Sequence, residues 1–122
     1  TNYDNILEDI TLYFSEKIEL LQLNGVKDII IDPGFGFAKT FDQNLTILNN
    51  LNYFTILDLP ILVGISRKSF VQKKFNVSIE NSLNASVQLN KTALENHASI
   101  LRVHDVKETK IMLEEFIINS KE

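Results

Sequence analysis

Three short apolar runs rich in β-branched residues alternate along the chain with segments of helical periodicity, and this alternation is the strongest constraint on the fold. The runs occupy residues 29–31, 61–64 and 100–103. Each is too short for a helix, and the first is apolar on both faces, which is typical of a strand buried in a parallel sheet. Strands that alternate with helices pair in parallel through right-handed crossovers. The sequence therefore predicts an α/β fold with three neighbouring parallel strands.

Helices are predicted before the first two runs. Apolar residues at spacings of three and four predict an amphipathic helix over residues 4–23, closed by Gly25, because glycine tolerates the left-handed conformation. A second helix carries apolar residues from Leu45 to Phe54 and is predicted to begin with Asp42 as its cap.

The remaining helices follow the second and third runs. A loop leading into a short helix is predicted within residues 66–75, and a longer helix within residues 79–94. His97 then follows as a solvent-facing connector. The last helix is predicted to begin at Asp105, with Glu108 three residues later in the capping-box arrangement.

Three parallel strands make an incomplete sheet. Both edges would present rows of unpaired backbone groups. A doubly wound sheet usually has roughly five or six strands, and a (β/α)8 barrel has more. We therefore expect these residues to form part of a larger domain.

Composition and charge exclude several classes of function. Apolar residues make up 44% of the chain and charged residues 23%, a globular balance. The net charge is −4 and no segment concentrates Lys and Arg, which argues against a nucleic-acid partner. The chain has no cysteine, so it has no disulfide or thiolate zinc site, and no His or carboxylate group shows metal-ligand spacing. No apolar run approaches the roughly 18 residues of a membrane span, so a cytoplasmic protein without membrane contact is expected.

Polar residues cluster where each predicted strand ends, in residues 32–39, 66–69 and 102–105. The carboxyl ends of parallel strands meet at one edge of a sheet, where α/β enzymes bind their ligands. A carboxylate, several cations, a histidine and a glycine-rich loop would therefore converge on one rim.

Two of these junctions allow a purely structural interpretation. Gly34 and Gly36 lack the third glycine of a dinucleotide-binding loop and fit a tight turn, with Asp32 capping or pairing locally. The segment 66–69 places two cations and two hydroxyls near a predicted helix N-terminus, which favours anions but also fits a solvated basic corner.

The third junction points more strongly to an anion. Arg102 interrupts an apolar strand, and a buried Arg requires an anionic partner. His104 lies two residues later, on the same face. The two side chains would together grip a phosphate, unless Arg102 pairs with a neighbouring carboxylate such as Asp32.

These junctions carry a resemblance to a known family. The segments IIIDPGFGFAKT, PILVGISRKSF and ILRVHDVKET resemble the second half of dihydropteroate synthases in order and spacing, and YDNILEDITLYF resembles the family helix after the fifth barrel strand. The resemblance implies that residues 1–122 are the C-terminal part of one pterin-binding (β/α)8 barrel of the TIM type, with strands six to eight and their flanking helices. The N-terminal half of the domain would be absent, and these residues alone would be inactive.

The same resemblance implies an enzyme of folate biosynthesis, from a family of sulfonamide targets. It would condense 6-hydroxymethyl-7,8-dihydropterin pyrophosphate with p-aminobenzoate to give 7,8-dihydropteroate and pyrophosphate. Magnesium would bind with the substrate pyrophosphate, its main protein ligand lying in the other half of the barrel. The partners would be these small molecules, and the full-length enzyme a homodimer. The alternatives are a methyltetrahydrofolate-type pterin-binding methyltransferase, which has no need of the anion-binding groups, and a non-catalytic anion-binding half-barrel.

Roles for individual residues also follow from the resemblance. Lys68, Arg102 and His104 would be catalytic, the last two by holding the leaving pyrophosphate. Asp32 would bind the N–H edge of the pterin, and Lys68 its carbonyl side. The full substrate-binding set would be Asp32, Gly34, Phe37, Gly64, Arg67, Lys68, Ser69, Arg102 and His104.

Within that set, Phe37 and Ser69 would line the aminobenzoate site, and Arg67 would support the rim. The chain departs from the family pattern at Ala38 and His97, where many members have glycine, and in the polar character of residues 82–90.

Overall fold

The computed structural model describes residues 3–35, 39–65 and 82–120. Four α-helices, a 3₁₀ helix and two strands lie in these residues. The elements, in chain order, are α1 (Tyr3–Leu23), α2 (Phe41–Asn49), the 3₁₀ helix (Leu51–Leu57), β1 (Leu62–Gly64), α3 (Ser82–Glu95), β2 (Ile100–Arg102) and α4 (Val106–Ser120). The short helix predicted within residues 66–75 lies outside the described residues.

The strands form a parallel sheet in sequence order. β1 and β2 pair in parallel with Gly64 opposite Arg102. Ile31 joins the other edge of β1 through an isolated parallel bridge to Ile61. The predicted arrangement of three neighbouring parallel strands is therefore confirmed, with β1 in the middle.

The first strand is much shorter than predicted, because prolines stop its ladder on both sides. The Ile31 N–H donates to the Pro60 carbonyl at 3.0 Å, and the Leu62 N–H donates to the Ile31 carbonyl at 2.8 Å. In a parallel ladder the next bond would need an N–H from residue 33, and the preceding one an N–H from residue 60. Both residues are proline and have no N–H to donate. Only the bridge at Ile31 remains.

The two faces of the sheet differ in burial. Ile31, Ile61 and Val63 point to one face and are buried in the main hydrophobic core. Side chains alternate along a strand, so the neighbouring residues point the other way. Ile30 on that second face is 53% exposed, so within the described residues only one face of the first strand is buried.

The core lies between the sheet and the helices. Its largest fully buried side chains are Phe54, Ile47, Leu48, Leu51, Ile61 and Val63. Phe54 meets Phe14 of α1 edge to face, with ring centroids 5.9 Å apart, which fixes α1 against the 3₁₀ helix.

The start of α2 corrects the predicted cap. The side chain of Thr40 accepts a hydrogen bond from the Gln43 N–H, and the Gln43 side chain accepts one from the Thr40 N–H. This capping box satisfies two free donors at once, and it leaves Asp42 in the first turn rather than at the cap. The predicted run to Phe54 also divides at Asn50 into α2 and the 3₁₀ helix, whose three-residue period turns Leu51 and Phe54 to the same side.

Two helices end in the same motif with different residues. At the end of α1, Gly25 has φ +86°, and the Val26 N–H donates to the Leu21 carbonyl at 3.0 Å. At the end of α3, His97 has φ +77°, and the Ala98 N–H donates to the Ala93 carbonyl at 2.9 Å. Both are Schellman motifs, which usually place glycine at the left-handed position.

α4 begins directly after Asp105, as predicted, with Glu108 in its first turn. In the part of the chain that the structure describes, no helix has the length and apolarity to cross a bilayer.

Candidate functional site

The carboxyl ends of the three strands bring together most of the described residues that the sequence singled out. Asp32 directly follows the bridge at Ile31, Gly64 ends β1, and Arg102 ends β2. A small pocket of about 120 Å³ opens at this edge, lined by Phe35, Gly64, Ile65, Arg102 and His104. We call this edge, with Asp32 and the five pocket residues, the rim.

A tight turn holds Asp32 at the rim. The Gly34 N–H donates to Asp32 Oδ1 at 2.8 Å, and Gly34 has φ +74°. A carboxylate that accepts from the backbone two residues ahead is an Asx turn, and the positive φ favours glycine. The structural interpretation of this loop is confirmed at Gly34. One oxygen of Asp32 is oriented by the turn, and the other faces the rim.

Arg102 faces that second oxygen. Its Nη1 lies 3.9 Å from Asp32 Oδ2, so the predicted alternative pairing of these two residues is confirmed. The side chains are 69% and 40% exposed. Arg102 is exposed within the described residues because it lies on the face of the sheet that their helices do not cover. Such an exposed and long ion pair contributes about 0–1 kcal/mol, so a ligand can replace it at little cost.

Gly64 lies directly beneath the guanidinium. A Cβ atom built on Gly64 would lie 2.6 Å from Cζ and 2.7 Å from Nε of Arg102. At such distances a methyl group would fit only if the guanidinium moved, so the Arg102 side chain occupies the space above Gly64.

His104 is exposed and lines the same pocket as Arg102. The sequence prediction that the two side chains share one face at the strand end agrees with this placement. His97 is also exposed, but it lines a different cleft with Asp58 and Pro60, where the chain enters β1 and β2. Its interpretation as a connector is confirmed.

Four predicted site residues lie outside the described residues: Phe37, Arg67, Lys68 and Ser69. Asp32 and Arg102 therefore lie together at one edge of the sheet, as predicted. The position of Lys68 at the same edge stays a prediction.

Two further residues lie in or beside the rim, and the sequence analysis did not assign a role to either. Phe35 lines the rim pocket, and Lys39 places its Nζ 3.6 Å from a Cβ built on Gly34. Both belong to the polar loop after the first strand, but their residue types alone did not distinguish them from the rest of that loop.

The side chains of the rim suit a ligand that carries an anionic group beside a hydrogen-bond donor. Within residues 3–35, 39–65 and 82–120, no group of three or more His, Asp or Glu residues is arranged to hold a metal ion. Arg102 and His104 offer donors to an anion, and Asp32 offers an acceptor to a polar N–H edge.

A parallel α/β fold with polar residues at the carboxyl ends of its strands is typical of the α/β proteins that bind their ligands at that edge. Comparison with known families narrows the class. The pterin-binding enzyme family matches residues 1–104, and the chain belongs to that family.

Named relatives agree with this assignment. The chain is 41% identical over 111 residues to the dihydropteroate synthase of Clostridium beijerinckii, an alignment that covers 88% of the chain and 41% of that protein. Among solved structures, the Yersinia pestis dihydropteroate synthase superposes with a TM-score of 0.91 and 35% identity, covering 99% of the chain and 51% of the other. The Xanthomonas albilineans dihydropteroate synthase in complex with 7,8-dihydropteroate gives a TM-score of 0.90 at 30% identity, covering 98% and 48%. The chain therefore spans about half or less of each of these proteins.

Proposed function

We propose that the chain is part of a dihydropteroate synthase of folate biosynthesis. This enzyme condenses 6-hydroxymethyl-7,8-dihydropterin pyrophosphate with p-aminobenzoate. The observation that carries the proposal is the rim, where an oriented carboxylate and an exposed Arg–His pair lie side by side at the strand ends of a pterin-binding fold. The Xanthomonas relative, which binds 7,8-dihydropteroate, supports the choice of product.

Different residues of the rim bind different parts of the substrate. Asp32 accepts hydrogen bonds from the N–H edge of the pterin and fixes its orientation. Arg102 and His104 bind the pyrophosphate. The bond between the pterin methylene carbon and the pyrophosphate oxygen breaks, and its electron pair leaves with pyrophosphate. The aminobenzoate nitrogen forms the new C–N bond and loses a proton. Cationic donors already aimed at the leaving group stabilise the charge that grows there.

The remaining roles rest on the resemblance alone. Lys68 contacts the carbonyl side of the pterin, Arg67 supports the rim, and Phe37 and Ser69 line the aminobenzoate site. Magnesium enters with the substrate pyrophosphate. Its main protein ligand is expected in the other half of the barrel.

In this proposal the three strands are the sixth to eighth of a (β/α)8 barrel. The complete enzyme is a cytoplasmic homodimer whose partners are its small-molecule substrates rather than nucleic acid. A pterin-binding methyltransferase would use Asp32 in the same way but would leave Arg102 and His104 without a function.

The test uses the complete gene product with both substrates and magnesium, and it measures dihydropteroate formation. Arg102→Ala is expected to weaken binding of the pyrophosphate-bearing substrate roughly 10- to 150-fold, because hydrogen bonds to charged groups contribute about 1.5–3 kcal/mol. Binding of p-aminobenzoate is expected to change much less. Equal losses for both substrates would contradict the assigned role, and the absence of product in the wild type would contradict the function.

A further inference from the structure

The Asp32–Arg102 pair spans the middle strand of the sheet. Arg102 ends β2 and Asp32 follows the bridge at Ile31, and β1 lies between them. Neighbouring strands are about 4.8 Å apart, so the outer two are separated by roughly 10 Å. The Arg102 side chain must therefore cross over β1 for its Nη1 to come within 3.9 Å of Asp32 Oδ2.

The crossing takes place at Gly64. This residue is the register partner of Arg102, so any side chain at position 64 would point to the same face of the sheet as the guanidinium. A Cβ there would lie 2.6 Å from Cζ and 2.7 Å from Nε of Arg102. Gly64 itself is buried.

Backbone conformation does not explain the glycine at this position. Gly25 and Gly34 have positive φ angles, whereas Gly64 lies in a regular strand outside that region. An alanine could adopt the Gly64 backbone without strain. The guanidinium atoms of Arg102 fill the space that a side chain at position 64 would need.

We infer that Gly64 is a positioning residue for Arg102. Because Gly64 has no side chain, it leaves space above the middle strand, and the guanidinium crosses that space to reach the anion site. The inference rests on the proposed function for the identity of that anion, a pyrophosphate group. A methyl group at position 64 would lift the guanidinium away from Asp32 and turn its N–H donors away from the pocket shared with His104. The three atoms nearest to this methyl group all belong to the guanidinium end of a long, flexible side chain, so we expect the fold itself to remain intact.

The experiment is a double-mutant cycle on the complete gene product, with inorganic pyrophosphate as the probe in isothermal titration calorimetry. The proteins are the wild type, Gly64→Ala, Arg102→Ala and the double variant. Gly64→Ala is expected to weaken pyrophosphate binding about 10-fold, as expected when charge-assisted hydrogen bonds are misaligned. In the Arg102→Ala background the same substitution is expected to change binding less than about 2-fold, because there is no longer a guanidinium to displace.

The cycle separates the inference from the proposed function. Unchanged binding in Arg102→Ala would contradict the function assigned to the anion site. A clear loss in Arg102→Ala without a loss in Gly64→Ala would overturn the positioning role. An equal loss from Gly64→Ala in both backgrounds would also overturn it, since the methyl group would then act on the ligand itself. In steady-state assays Gly64→Ala should raise the KM of the pyrophosphate-bearing substrate and leave that of p-aminobenzoate unchanged.

Two further measurements keep the inference testable without a ligand. A crystal structure of Gly64→Ala should show the guanidinium displaced from β1, and an unmoved guanidinium would refute the inference. If Gly64→Ala does not fold, the double variant decides the matter. Recovery of the fold in the double variant would support a clash with Arg102, and continued unfolding would place the clash elsewhere. Gly25→Ala serves as a control that strains a distant turn and should leave pyrophosphate binding unchanged.

Discussion

Replacing His97 with glycine is expected to stabilise the protein. His97 has φ +77° in the Schellman motif after α3, the position that Gly25 occupies after α1 with φ +86°. A non-glycine residue in the left-handed region costs about 1–2 kcal/mol. Part of the stabilisation from relieving this strain, about 0.5–1 kcal/mol, is lost because glycine has more conformational freedom in the unfolded chain. The net expectation for His97→Gly is an increase of about 0.5–1 kcal/mol in the free energy of unfolding.

The local contacts around His97 favour a clean measurement. The side chain is exposed, and the two residues that close the motif, Ala93 and Ala98, are buried and remain unchanged. Equilibrium urea unfolding should show a higher midpoint for His97→Gly with an unaltered slope, since the substitution does not change the buried surface.

His97→Ala is the matched control. It removes the imidazole as glycine does but keeps a Cβ at the positive φ, so no stabilisation is expected. Gly25→Ala introduces the same strain at the other motif and should lower the free energy of unfolding by about 1 kcal/mol. If His97→Ala stabilised the protein as much as His97→Gly, the effect would come from the imidazole and the argument from φ would be refuted.

Two further predictions concern stability and use the same unfolding assay. Thr40→Ala should lower the free energy of unfolding by about 1 kcal/mol because it removes the capping box, whereas Asp42→Ala should lower it by only about a few tenths of a kcal/mol. Equal losses would show that Asp42 is the cap. Ser86→Ala should leave stability unchanged or raise it by up to about 1 kcal/mol, because the buried Ser86 hydroxyl has no hydrogen-bond partner within residues 3–35, 39–65 and 82–120. A clear loss of stability would reveal another partner, such as a bound water.

The sequence predicted the elements well where one local signal determines them. Apolar spacing located α1 within one residue at its start, and Gly25 marked the end of the helix. The start of α2 was missed because Thr40 and Asp42 are both good caps. Only the Gln43 side chain, folded back onto the Thr40 N–H, decides between them.

Features that depend on pairing between distant segments were harder to predict. Pro33 and Pro60 are visible in the sequence, yet their joint effect on the ladder appears only when Ile31 is paired with Ile61. The exposure of Arg102 depends on which face of the sheet the helices cover. The space above Gly64 follows from its register with Arg102, which lies 38 positions further along the chain in another strand.

The single bridge at Ile31 gives the two sides of the rim unequal rigidity. Arg102 belongs to a three-residue ladder, whereas two backbone hydrogen bonds between described residues join the segment that carries Asp32 to the sheet. Each such bond contributes about 0.5–1.5 kcal/mol net, so the backbone pairing of this segment is weaker than the ladder between β1 and β2. The Ile31 amide should therefore exchange its hydrogen faster than amides within the β1–β2 ladder. Asp32 thus lies on the more weakly paired side of the described sheet, and Arg102 lies on the more strongly paired side.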